Sequence, residues 1–175
     1  MKKIGLFYWP PKGNVEKIAL AIKSRFKDED IDIVDLSKVH AKHLFYYDNI
    51  ILGSSTVGAD HWEDATDDNK WYKLFHEMDE DKVDLMEKNI ALYGLGDQIA
   101  YPNNFVDGME RVYSHISKHN INLIGEWQNE GYTFNHSEAL HDNKFRGLAI
   151  DLDNEEESMN EKVDKWVEIL KPLLK

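Results

Sequence analysis

The sequence predicts an α/β domain built on a doubly wound parallel sheet. Short apolar runs of strand character recur along the chain, segments of helical periodicity fall between them, and the central runs are continuously apolar rather than alternating. A continuous apolar run suits a strand covered on both faces, as parallel strands are. Strands alternating with helices imply right-handed crossovers, hence helices on both faces of the sheet.

Residues 3–8 form the first strand run and meet a Pro/Gly break at Pro10, Pro11 and Gly13. Asn14 opens a helix whose apolar side carries Ile18, Ala19, Ala21, Ile22 and Phe26. Residues 31–36 read as a second strand and 48–53 as a third, with Ile50, Ile51 and Leu52 at its centre. Residues 89–93 repeat that design and end in Gly94, Leu95 and Gly96. A helix is expected over 104–119 on the stripe Phe105, Met109, Val112 and Ile116, then strands over 121–126 and 145–151. The closing helix is expected from about residue 155, burying Met159, Val163, Trp166, Val167 and Leu170, with Pro172 at its end. Residues 1–175 read as one domain, without repeat or linker. Two polar stretches, 54–69 and 128–144, stand outside the alternation, and long loops in compact domains are usually functional or mobile.

At 175 residues the chain is long enough to bury one core, and its hydrophobic share of 42% is that of a globular protein. The formal charge of −12 argues against nucleic acid or an anionic membrane as partner; it suits either docking onto a basic protein face or simple solubility. The absence of cysteine excludes disulfides, thiolate metal sites, iron–sulfur ligation and thiol catalysis. The opening apolar run is too short for a signal peptide or a membrane span, so the cytoplasm is the expected location.

In open parallel sheets, ligands bind beyond the carboxyl ends of the strands. Three loops meet that description: residues 9–15, 54–60 and 94–103. The first leads into a helix N-terminus, where free N–H groups and the helix dipole favour a phosphate. The last offers backbone donors at Gly96, Asp97 and Gln98 and an aromatic face at Tyr101. Together they describe a mononucleotide site. His61, Glu63, Asp64, Asp67 and Asp68 lack a tight ligand spacing and read as a solvated acidic loop rather than a metal centre. No Ser/His/Asp order or carboxylate pair supports hydrolysis.

Residues 2–8, the run Gly94-Leu95-Gly96-Asp97-Gln98-Ile99-Ala100-Tyr101-Pro102-Asn103-Asn104-Phe105, Gly131-Tyr132-Thr133-Phe134, residues 144–151 and the Trp166 helix together resemble a long-chain flavodoxin, in order and essentially end to end. The resemblance implies a flavodoxin-like, three-layer, five-stranded parallel sheet, its last strand split by an insertion over residues 128–144. It also implies FMN as cofactor, low-potential one-electron transfer, and redox partners with basic docking faces met by a monomer. By position, Tyr101 would stack on the outer face of the isoalloxazine, and the backbone of Gly96, Asp97 and Gln98 would receive its pyrimidine end. Thr56, Val57 and Gly58 would line the other face, Gly58 permitting the peptide rotation that lets a carbonyl accept from the N5–H of reduced flavin. Asp153 would lie near the ribitol. Lys12, Gly13, Asn14 and Val15 would hold the phosphate.

The phosphate loop departs from the family pattern Thr-x-Thr-Gly-x-Thr: only Gly13 is kept, and the three hydroxyl positions are Pro10, Lys12 and Val15. Each hydrogen bond lost to a charged phosphate costs about 1.5–3 kcal/mol. Lys12 and the N–H groups of residues 13–16 offset part of that loss, while Glu16 opposes it. Val57 stands where the family often places a tryptophan, for which Trp9, Trp62 or Trp71 is a substitute. An alternative therefore stands beside the electron carrier: a paralogue with weak or no FMN binding, acting as a protein-binding or regulatory module through residues 54–71.

Overall fold

A computed structural model describes residues 4–55 and 68–175. Its main sheet contains β1 (Ile4–Tyr8), β2 (Ile31–Asp35), β3 (Asn49–Ser54), β4 (Asn89–Leu95) and β5 (Asn122–Leu123), in the order β2-β1-β3-β4-β5. All pairs are parallel. Every residue of β1, β3 and β4 is buried, as their unbroken apolar runs require. Alternate residues feed two cores. Phe7, Ile50, Leu52, Ile90 and Leu92 face α2 (Lys70–Glu80) and α3 (Asp107–Ile116). Leu6, Tyr8, Ile51, Ala91 and Tyr93 face α1 (Asn14–Lys23) and the closing helix. The result is three layers, helices over both faces of the sheet.

The last sheet position is filled in two pieces, as expected of the insertion. β5 pairs with the start of β4 through Asn89↔Asn122 and Ile90↔Leu123. Between it and the second piece lies a small antiparallel sheet of β6 (Trp127–Gln128), β7 (Leu140–His141) and β8 (Lys144–Phe145). Asp142 and Asn143, both at positive φ, form the two-residue turn joining β7 to β8. The second piece, β9 (Leu148–Ile150), pairs with the end of β4 through Tyr93↔Leu148 and Leu95↔Ile150. The expected strand over 145–151 is therefore two strands in different sheets, parted at Arg146-Gly147. The run over 121–126 yields only two paired residues, because Gly125 at φ +76° turns the chain out of the sheet.

The helix expected from residue 104 begins at Asp107, since Val106 takes a left-handed conformation. Its end continues as a 3₁₀ turn over Ser117–His119. The closing segment starts earlier than expected with α4 (Leu152–Glu155), passes a 3₁₀ turn and continues as α5 (Met159–Leu170), beyond which Pro172 sits in a last 3₁₀ turn. Helix α2 is an addition to the elements expected from the sequence. Asn69 caps it by accepting from the N–H groups of Trp71 and Tyr72, and Trp71, Leu74, Phe75 and Met78 give it an i, i+3, i+4, i+7 buried stripe.

Gly147 fixes how closely β9 can return beside β4: a Cβ there would lie 2.0 Å from the Leu92 carbonyl oxygen and 2.6 Å from its carbon. Backbone on the neighbouring strand cannot yield as a side chain can. Gly147→Ala is expected to destabilise the protein by about 3 kcal/mol, read as a lower urea midpoint at unchanged m-value.

Candidate functional site

The register sets the carboxyl ends of the strands side by side: Tyr8 opposite Gly53, Ser54 opposite Gly94, and Leu95 opposite Ile150. Residues 9–15, 94–103 and 151–155 consequently leave the sheet along one edge. Thr56, Val57, Gly58 and Trp62 lie outside the described residues.

At the first loop the Trp9–Pro10 peptide is cis, and Lys12 holds a left-handed conformation at φ 62°. Gly13 is the N-cap of α1, with no side-chain cap. Lys12, Gly13 and Asn14 are exposed, whereas the Val15 side chain is buried in the α1–α5 core. The Val15 carbonyl accepts from the Tyr93 hydroxyl at 2.9 Å, which ties the head of α1 to the centre of β4. That reach depends on Gly53, where a Cβ would lie 1.9 Å from the Tyr93 ring. The N–H groups of Asn14, Val15 and Glu16 stand in the first turn, where a helix supplies no acceptor of its own. Among the described residues, a Cβ on Gly13 would meet nothing within 4 Å.

Glu16 is the residue sequence reasoning undervalued. Its Oε1 accepts from the Tyr8 hydroxyl at 2.7 Å and its Oε2 from the Lys12 N–H at 2.6 Å. The Tyr8 bond first, then the Lys12 bond, hold the Glu16 carboxyl below the usual carboxylate range. Burial, and then the same carboxylate, push the Tyr8 phenol well above its ordinary value. The Lys12 amide thus already serves a carboxylate of the protein. An i, i+4 reach from the first helical turn back into the loop was the available signal.

The loop after β4 is firmly organised. Gly96 N–H donates to the Ile150 carbonyl at 3.0 Å, and Gln98 N–H to Asp151 Oδ2 at 3.1 Å. Gln98 is 2% exposed, and its Oε1 accepts from the Thr133 N–H and hydroxyl. Of the three amides expected to meet a ring, Asp97's alone has no acceptor among the described residues. The Asp97 Oδ1 accepts from Ile99 N–H, Ala100 N–H and Asn154 Nδ2, and the Ala100 bond is the largest cause of its lowered pKa. These bonds close a turn that presents Tyr101, 63% exposed, at the rim.

Asp153 lies in α4 with an exposed side chain. Its neighbours Asp151 and Asn154 form the bridge to the Asp97 turn, Asp151 being buried and accepting from both the N–H and the side chain of Asn154. Sequence reasoning missed this pair. An ion pair between Lys17 and Glu156 joins α1 to the same segment. Trp71 is a correction. At 1% exposure, with its Nε1–H donated to the Trp9 carbonyl, it is a core residue and offers no face to a ligand. Trp9, half-buried beside the first loop, keeps that possibility.

A family model described as flavodoxin matches residues 6–166. The flavodoxin of Picosynechococcus is 37% identical over 173 residues, covering 98% of each chain. That of Nostoc is 35% identical over 170 residues, covering 97% of this chain and 96% of its own. Among solved structures, Fusobacterium nucleatum flavodoxin bound to flavin mononucleotide superposes with a TM-score of 0.86 at 25% identity, covering 100% of both chains. With the strand order, the split last strand and the loops at one sheet edge, these similarities place the chain in the flavodoxin family.

Proposed function

We propose that this protein is an FMN-binding one-electron carrier that passes electrons between redox proteins. Membership of the flavodoxin family over nearly the whole chain carries that reading, and it favours the carrier over a paralogue that has lost its flavin. The donors at the head of α1 fit a phosphate monoester: three first-turn amides, the exposed Lys12 just ahead of them in the chain and, among the described residues, nothing within 4 Å of a Cβ at Gly13. When bound, FMN supplies the redox chemistry, and the protein holds and tunes it.

Lys12, Gly13, Asn14 and Val15 grip the phosphate. Tyr101 offers its exposed ring to one face of the flavin, and the Asp97 amide donates at the pyrimidine end. Asp153 stands on the ribitol side, while the second face falls to Thr56, Val57 and Gly58. The net charge of −12 disfavours adding negative charge to a bound flavin, which sets a low potential, and steers the protein to basic faces on its donor and acceptor. It works as a monomer in the cytoplasm. No helix among the described residues is long and apolar enough to cross a membrane.

Gently purified protein is expected to show flavin absorption bands, and FMN-free protein to quench the fluorescence of added FMN. Colourless protein that leaves the fluorescence unchanged would defeat the proposal. Tyr101→Ala is expected to weaken FMN about tenfold through lost stacking and contact area.

Glu16→Gln removes a carboxylate from the phosphate-facing loop and is expected to strengthen FMN binding about tenfold. Riboflavin, which lacks the phosphate, should show no such gain. Because the Glu16 carboxyl is held below its usual range, it stays ionised, and the difference should persist from about pH 8 down to about pH 5. It should fade only as the pH falls through that depressed value. Equal FMN affinities for the unaltered protein and Glu16→Gln would show that the carboxylate does not oppose the phosphate.

A further inference from the structure

The two histidines at the far end of α3 have no part in the flavin site. His115 lies in the last turn of α3 and His119 in the 3₁₀ turn that follows, one helical repeat apart. His119 is 9% exposed, and its Nδ1–H donates to the Val83 carbonyl at 2.7 Å. That bond fixes the tautomer and leaves the Nε2 lone pair free. The Phe75 ring stacks on His115 at 4.2 Å between centroids. Both Nε2 atoms are buried without a hydrogen-bond partner among the described residues. Both face Asp79, in the last turn of α2: Asp79 Oδ1 is 3.4 Å from His115 Nε2 and 3.3 Å from His119 Nε2.

The three ligand atoms lie within 4.8 Å of one another. In a tetrahedral centre with bonds of about 2.0–2.1 Å, neighbouring ligand atoms are separated by about 3.3 Å, which is the spacing the carboxylate keeps from each imidazole. We propose that Asp79, His115 and His119 form a binding site for a divalent transition-metal ion of the zinc class. Two imidazole nitrogens and a carboxylate suit zinc rather than magnesium or calcium, which prefer all-oxygen shells. The C-terminal ends of α2 and α3 converge here, and their carbonyl dipoles favour a cation. A surface cavity of about 540 Å³ bordered by Asp79, His115, His76, Glu110 and Lys118 gives an entry path and room for a water ligand. Lys118 and Arg111 on that border carry charge that opposes the ion, and Glu110 and Glu138 carry charge that favours it.

The test is calorimetric titration of ZnCl₂ into full-length protein freed of metal by chelator and dialysis, with the histidine ring nitrogens followed by long-range ¹H–¹⁵N NMR. One equivalent is expected to bind per chain and to move the Nε2 resonances of His115 and His119 only. Asp79→Asn should weaken binding about tenfold and His115→Gln about a hundredfold. Thermal unfolding checks that each variant is folded; should His115→Gln fail to fold, the half-exposed Asp79→Asn and the ring resonances of the unaltered protein decide. Absence of saturable binding, binding unchanged in folded His115→Gln or in Asp79→Asn, or resonance shifts confined to other histidines would overturn the site.

Discussion

The burial of β1, β3 and β4 on both faces is the constraint from which the rest follows. Strands clad by two layers of helices have no lateral surface on which to build a site, so chemistry is pushed to their ends. Parallel register then makes the two ends unlike. All helix N-termini that follow strands gather at the carboxyl edge, while the helix C-termini gather at the other. The close pairing of β9 with β4, set by Gly147 against the Leu92 carbonyl, adds the Asp151–Asn154 segment to the carboxyl edge and gives the Asp97 turn its supports.

At that edge the protein meets a conflict of its own making. Helix α1 offers amides to an anion, yet Glu16 projects a carboxylate back onto the Lys12 N–H and the Tyr8 hydroxyl. The same bonds stabilise the loop when no anion is present, since an ionised carboxylate satisfies both donors. A loop without hydroxyls therefore keeps its shape through an acidic side chain. Lys12, exposed and at a backbone conformation few lysines adopt, brings a positive charge to the same loop. Binding strength at this site is a balance between preorganisation and repulsion rather than a count of hydrogen bonds.

Much of this was legible in the sequence wherever burial imposed a simple pattern. The continuous runs at Ile50–Leu52 and around Ala91 gave buried strands, and the stripe through Val163, Trp166 and Leu170 gave the closing helix. Helix α2 escapes that reading although Trp71, Leu74, Phe75 and Met78 carry the helical spacing, because the acidic stretch before it suggests a loop. The division of residues 145–151 between two sheets was not legible, since it depends on a close backbone approach rather than on side-chain periodicity. At the site, loop positions followed from strand order alone. The roles of Glu16, Asp151 and Asn154 did not, because they arise from hydrogen bonds across loops that no local pattern announces. His115 and His119 were hidden for a related reason: their third partner lies on α2, the helix absent from the sequence reading.

The two ends of the sheet are electrostatic opposites, and the functional residues sort accordingly. At the carboxyl edge stand the first-turn amides of α1 and the exposed Lys12, with the Glu16 carboxylate bonded to the Lys12 N–H. At the opposite end, the last turns of α2 and α3 bring carbonyl dipoles, Asp79 and two lone-pair nitrogens toward a cation. The separation matters energetically. Exposed charges further apart than about 10 Å are largely screened at ordinary ionic strength, so charge at one end leaves affinity at the other nearly unchanged. Any coupling would have to pass through packing, from Phe75 stacked on His115, across the α2–α3 core, to Trp71 and its bond to the Trp9 carbonyl beside the phosphate loop. That chain of contacts runs through Trp71, which the sequence offered to the flavin and the fold instead gave to the core.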